Sequence, residues 1–305
     1  MKLPHNDGDS GQLKPEFILV SLLFAAFFWG LSFPLTKIMT GSFPPITIAA
    51  LRGLIGAAAL ILFFLVIRQN VLPRSRREVI DWLVLGALNG WIANLLVAYA
   101  MQSLPAGQAA MIQACGPLIT ALLANRLFAD EKLTPLRLLG ILIGFAGVAL
   151  LIGPRLVGAS ATPGAVLAML SVAFCYASGN IYVRMMPVAD PRRLALGQQI
   201  TSGLAAALIA LATVGPASFA AAPDHLWTLV ALGVVGTALP IVIFMYILRA
   251  AGPTRAALTG YLVPAWAVVI SAIILAERIG MREAAAGGII LAGVYLTARA
   301  KTQRI

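Results

Sequence analysis

The chain carries one hydrophobic pattern twice, about 147 residues apart. Ala26-Phe27 falls on Ala173-Phe174, Lys37 on Arg184, Met39 on Met186, Pro44 on Pro191 and Gly56 on Gly203. Gly86 falls on Gly233, Tyr99 on Tyr246, Ala109-Ala110 on Ala256-Ala257 and Pro117 on Pro264. With one residue slipped, Glu131-Lys132 meets Glu277-Arg278, and Gly147-Val148 meets Gly293-Val294. Each copy holds five apolar segments, an odd number, so the second must enter a bilayer from the side opposite to the first. An inverted repeat of this kind gives a membrane carrier two alternating states from one gene.

Lipid has to be the solvent for most of the surface. Hydrophobic residues make up 60% of the 305 and charged residues only 11%, a balance that leaves too few polar side chains to cover a water-soluble domain. The net charge of +11 does not point to nucleic acid, because the basic residues stand in short loops between apolar runs, where they orient a chain in a membrane. Cys115 and Cys175 both fall inside apolar segments and read as small hydrophobes, so neither a disulfide framework nor a zinc site is expected. No cofactor is expected either.

Ten apolar stretches follow one another, at 17–39, 46–67, 79–102, 105–127 and 134–152, then 163–186, 193–215, 226–248, 254–275 and 282–298. About 20 helical residues cross a hydrocarbon core, and the period-two alternation of a membrane barrel is missing. The expected fold is therefore an all-α membrane protein of ten transmembrane helices, arranged as two inverted five-helix repeats. The expected organisation is a polar tail at 1–16, a first repeat at 17–152, a second at 163–298 and a short tail at 299–305. The polar residues 1–16 are not a cleaved signal peptide, and the first apolar segment should persist as a helix.

With both termini in the cytoplasm, seventeen of the 22 Lys and Arg residues lie on the inner side and five (Lys37, Arg52, Arg155, Arg278 and Arg282) on the outer side. The positive-inside rule selects that orientation, expected in a bacterial-type inner membrane. Segments five and ten are rich in glycine (Gly140, Gly144, Gly147; Gly287, Gly288, Gly293). Small residues at this spacing suit close helix packing, including a dimer contact, so monomer and homodimer both stay open.

Trp29-Gly30 followed by Phe33-Pro34 and Lys37 resembles the first helix of the drug/metabolite transporter superfamily. The stretch from Pro105 to Pro117 followed by Glu131 resembles that family's fourth helix and its exit, and Pro264 with Glu277 repeats it. The resemblance covers residues 17–298 as two EamA-type repeats. It implies a ten-helix transporter with its path between the repeats, similar to exporters of amino acids and related metabolites, the aromatic amino-acid exporter branch among them. The second copy has diverged, since Tyr176-Ala177 stands where Trp29-Gly30 stands in the first.

Substrate sites of inverted-repeat carriers lie near the bilayer midplane. The polar and aromatic groups at that depth include Trp29, Asn89, Asn94 and Gln113 in the first repeat and Tyr176, Asn180, Tyr261 and Trp266 in the second. Each is a candidate substrate contact; each could equally hydrogen-bond a neighbouring helix as packing glue. Flat apolar rings beside amides suit a small neutral or zwitterionic solute, amino acids including aromatic ones. Gly116-Pro117 and Gly260 with Pro264 stand at matching places in segments four and nine and are candidate gate hinges or static kinks. Lys37 and Arg52, near outer helix ends, are either snorkelling anchors or lures for a substrate carboxylate.

No carboxylate falls mid-helix, so a cation carrier that exchanges protons through a buried Glu is disfavoured. An integral-membrane enzyme would want an acidic cluster or a His/Asp pair, and the two histidines stand in the tail (His5) and a loop (His225). A nucleotide-sugar or phosphate-ester carrier of the same superfamily remains the alternative. It would want Lys or Arg at mid-helix, for which Lys37 and Arg52 look too peripheral.

Overall fold

The computed structural model describes residues 15–128, 133–157, 163–187, 190–251 and 259–299. Ten helical segments run through them: α1 (Pro15–Met39), α2 (Pro45–Val66), α3 (Arg76–Met101), α4 (Ala106–Leu127) and α5 (Pro135–Val157). The second five are α6 (Pro163–Met185), α7 (Pro191–Thr213), α8 (226–251), α9 (Thr259–Ile274) and α10 (Met281–Arg299). Seven of these segments contain a span long and apolar enough to cross a bilayer unaided, and shorter apolar helices lie in α5 and α9. The protein is an all-helical, multi-pass membrane protein built as two five-helix repeats.

Local chemistry sets the helix ends. Pro45 and Pro191 open α2 and α7 at a position where the missing N–H costs nothing. Ser75 caps α3 by accepting from the Glu78 N–H at 3.1 Å, while Glu78 Oε2 accepts from the Arg74 N–H. Arg193, at the start of α7, then holds the α2–α3 loop. It pairs with Glu78 at 2.7 Å and donates to the carbonyls of Asn70 and Leu72. The terminal face of the bundle carries the start of α1 and the end of α10, and the distal face lies opposite.

Helix contacts come in two equivalent sets, as a two-fold relation between the repeats requires. α1 packs on α8 and α9, and its counterpart α6 packs on α3 and α4; α2 packs on α8, and α7 on α3. The remaining principal pairs, α2 with α7, α4 with α9 and α5 with α10, join each helix to its own counterpart. Where α2 crosses α7, a Cβ on Gly53 would fall 2.6 Å from the Gly203 Cα, so only hydrogen fits and the backbones touch. Most of the glycines of the α5 and α10 stripes face the opposite helix, while Gly144 also meets Leu118 and Gly287 meets Met111, both on α4. A Cβ on Gly293 would meet Gly144 N at 2.3 Å, and one on Gly140 would meet the Gly293 carbonyl at 2.7 Å. Five of the six glycines are thus packed against the chain itself, and Gly288 has open space beside it.

One feature of the backbone is invisible in the apolar pattern. Both α3 and α8 widen into a π-helical turn, at Ala87–Trp91 and Ala231–Ala238. At an offset of 147, residues 87–91 fall on 234–238, so the two turns occupy the same place in each repeat. Such bulges free backbone carbonyls from the α-helical ladder and re-aim side chains.

Candidate functional site

Several buried polar groups lie around the two π-turns. In the first half of the arrangement Arg52, on α2, reaches α8. Its Nε donates to Thr237 Oγ1 at 2.8 Å and its Nη2 to the Gly236 carbonyl at 3.4 Å. Thr237 in turn donates to the Leu232 carbonyl at 2.7 Å, across the wide turn. The second half repeats the plan on α7 and α3. Gln198 Nε2 donates to the Asn89 carbonyl at 3.3 Å, and Asn89 is the counterpart of Gly236. Gly90, the counterpart of Thr237, leaves the helical region (φ −119°, ψ −110°), and a Cβ there would fall 2.5 Å from Ser202 Cβ.

Arg52 corrects a sequence expectation. It neither snorkels nor sits at the rim: it is 8% exposed and lies seven residues into α2, about 10 Å along the helix from its first residue. No carboxylate pairs with it among the described residues, and it stands within electrostatic reach of the Tyr176 phenol. Three further oxygens in the same region are buried without a hydrogen-bond partner: Asn89 Oδ1, Gln199 Oε1 and Ser202 Oγ. Gln199 is the repeat counterpart of Arg52. A Cβ on Gly56 would meet Gln199 Oε1 at 3.3 Å and Thr237 Cγ2 at 3.6 Å, which puts the amide and the partner of Arg52 in one layer.

The residues singled out from sequence divide. Asn89 lies on the α3 π-turn with its side chain pressed on Gly179 of α6. Asn94 is buried one turn later, and Tyr176 is half-buried against the main apolar core. Trp29 is half-buried with its ring 5.2 Å from Phe244 of α8. Gln113 ends the first part of α4, half-buried at the break. Trp266 packs edge-on to Phe27 at 5.2 Å, and Gly30 lets its backbone approach, so its contacts are those of a packing residue. Asn180 is exposed, one turn beyond Tyr176. The side chain of Tyr261 lies outside the described residues, as does Glu131.

The proline pair behaves unequally. α4 stops at Gln113 and restarts at Gly116, so Gly116-Pro117 marks a true break, whereas Pro264 lies inside the continuous helix α9. The two places touch: a Cβ on Gly260 would lie 3.6 Å from Pro117 Cγ. At the distal face, Lys37 donates to the carbonyls of Met101 and Leu104, capping the end of α3. Glu277 accepts from the N–H groups of Ala106 (2.7 Å) and Gly107 (3.0 Å), a carboxylate on the N-terminus of α4. A cavity of about 250 Å³ opens beside this junction, between Gln108, Met111, Val268 and Glu277.

Arg52 was visible in the sequence but placed at the wrong depth, and Gln198, Gln199 and Ser202 were missed. The repeat offset was the signal that could have found them, since it sets Gln199 on Arg52.

A ten-helix bundle with two interlocked repeats around a polar centre is the architecture of a membrane carrier. The chain belongs to the EamA-like transporter family, whose pattern it matches at residues 16–153 and 163–299. It is 29% identical over 295 residues to the uncharacterized inner membrane transporter YedA of Escherichia coli, covering 95% of this chain and 92% of that one. It is 27% identical over 284 residues to a probable amino-acid metabolite efflux pump of Salmonella typhimurium, covering 88% and 90%. A solved crystal structure superposes on 93% of this chain and 96% of its own with a TM-score of 0.66 at 19% identity, a likeness of fold alone.

Proposed function

We propose that this protein is a secondary transporter, an exporter or facilitator, of small neutral or zwitterionic metabolites, chiefly amino acids including aromatic ones. It works by alternating access between the two repeats, in a bacterial inner membrane with both termini in the cytoplasm. The observation that carries the reading is the doubled set of helix contacts. A bundle whose pairs come in two equivalent sets has two equivalent ways to pack, and moving one set against the other exchanges the open end. The π-turns and the break in α4 supply places where helices can bend. Trp29, Asn89, Asn94, Gln113 and Tyr176 supply the flat walls and amides for the solute. The name of the Salmonella relative supports the choice of cargo class.

Proteoliposomes preloaded with an unlabelled amino-acid panel, then offered labelled phenylalanine, test this directly. Counterflow is expected without an imposed proton gradient, with a rate that varies weakly between about pH 6 and 8, where unperturbed Asp, Glu and Lys do not titrate. Absence of counterflow across the panel would sink the cargo assignment. Strict dependence on a proton gradient would instead bring Glu131 or Glu277, the latter on the N-terminus of α4, into the pathway. The orientation is tested by single cysteines: one at Ser75 should be shielded from an impermeant reagent in intact cells and one at Ala222 should react.

A further inference from the structure

The two repeats contain their own control experiment at Arg52. Each braces the π-turn of the opposite repeat with a side chain from the helix that crosses it: Arg52 to Gly236 on α8, Gln198 to Asn89 on α3. A neutral amide suffices in one half. The charge of Arg52 is therefore surplus to the bracing, and it is held at 8% exposure with no carboxylate beside it among the described residues. Holding an unpaired ion out of water is costly, so an ionisable group kept there marks a site by default. The partners it does have, a threonine hydroxyl and a carbonyl, leave N–H donors of the guanidinium fork uncommitted. In the same layer Gln199 Oε1 is a buried acceptor with no donor, at 1% residue exposure.

We infer that Arg52 receives the carboxylate of the transported solute and that Gln199 Oε1 accepts from its ammonium group. The inference rests on the reading of the protein as a carrier. It also narrows that reading: the cargo must bear a carboxylate, not merely be small and polar. A buried cation with an unpartnered buried acceptor in the same layer matches an α-amino acid, which carries an anionic acceptor and a cationic donor on one carbon. A guanidinium fork takes a carboxylate through two parallel hydrogen bonds, which no amide side chain can copy. A phosphate ester would set two negative charges against one guanidinium.

The test uses the full chain purified in detergent, its melting temperature followed with four probes: phenylalanine, phenylalaninamide, benzoate and phenyl phosphate. Wild type is expected to be stabilised by phenylalanine and benzoate and not by phenylalaninamide. Arg52→Gln, which copies the chemistry of the second repeat, is expected to fold as well as wild type. It should need at least tenfold more phenylalanine or benzoate for the same shift, and Arg52→Lys should recover part of the loss. Gln199→Leu should weaken phenylalanine and leave benzoate unchanged. Benzoate carries no assumption about amino-acid transport. Stabilisation by benzoate that depends on Arg52, with no amino-acid counterflow, would sink the cargo reading and leave the carboxylate site standing. Carboxylate stabilisation that survives in Arg52→Gln, or is absent from wild type, would overturn the inference. So would stabilisation of wild type by phenyl phosphate alone. Failure of Arg52→Gln to fold would overturn it too, because the charge would then be structural.

Discussion

The crossing of α2 with α8 and the crossing of α7 with α3 are the same joint built twice. Both seat a glycine-bearing helix against a π-turn, and both place a donor side chain from across the joint on a carbonyl of that turn. They differ in what fills the corresponding positions. The α8 turn carries Thr237, whose hydroxyl links Leu232 to Arg52, while the α3 turn carries Gly90, which makes room for Ser202. One joint is thus polar and charged, the other close-packed and neutral. The repeat keeps the mechanical solution in both copies and leaves the chemistry at the corresponding positions free to differ.

That comparison can be broken at several strengths. Gly53→Leu and Gly203→Leu act on the contact shared by both joints, where any Cβ meets backbone below 3 Å. Each should exceed the about 1–3 kcal/mol of ordinary overpacking and abolish the monodisperse peak in size-exclusion chromatography. Clearly unequal effects of the two would show that the crossing is not shared evenly. Gln198→Leu removes the neutral brace and its hydrogen bond to the Asn89 carbonyl, for about 0.5–1.5 kcal/mol. It should lower the melting temperature and slow transport of carboxylate and amide substrates alike, unlike a change at Arg52. Thr237→Val keeps the shape and loses the hydroxyl that both accepts and donates, for about 1 kcal/mol, again read as melting temperature. The mildest is Gly236→Ala. Its Cβ would lie 3.1 Å from Ser32 Cβ, a contact that a small shift relieves, so a loss of about 0.5 kcal/mol is expected in the same assay. A loss as large as that of Gly90→Ala, whose Cβ would lie 2.5 Å from Ser202 Cβ, would show the two turns to be equally tight.

Much of this architecture is legible in the sequence. Ten apolar segments follow from composition and length, because backbone groups in lipid must be satisfied within each helix. The repeat offset sets Pro117 on Pro264, but that the two places meet, through Gly260, is seen only in the structure. The shared offset did not reveal that α4 breaks while α9 runs on. Each proline removes one donor, but whether the helix yields there depends on what packs around it.

Sequence by itself determined the class, the duplication and the stripes of small residues, since these depend on hydrophobicity and size read residue by residue. Only the tertiary structure decided where the stripes were spent, that the helices widen at Ala87–Trp91 and Ala231–Ala238, and which way Arg52 turns. A π-turn leaves the residues just as apolar and shifts only their phase, which a pattern of hydrophobicity registers weakly. A long arginine side chain can reach water or the interior from the same Cα. The choice here is made by acceptors on a helix 185 residues away in sequence, and no local pattern contains them.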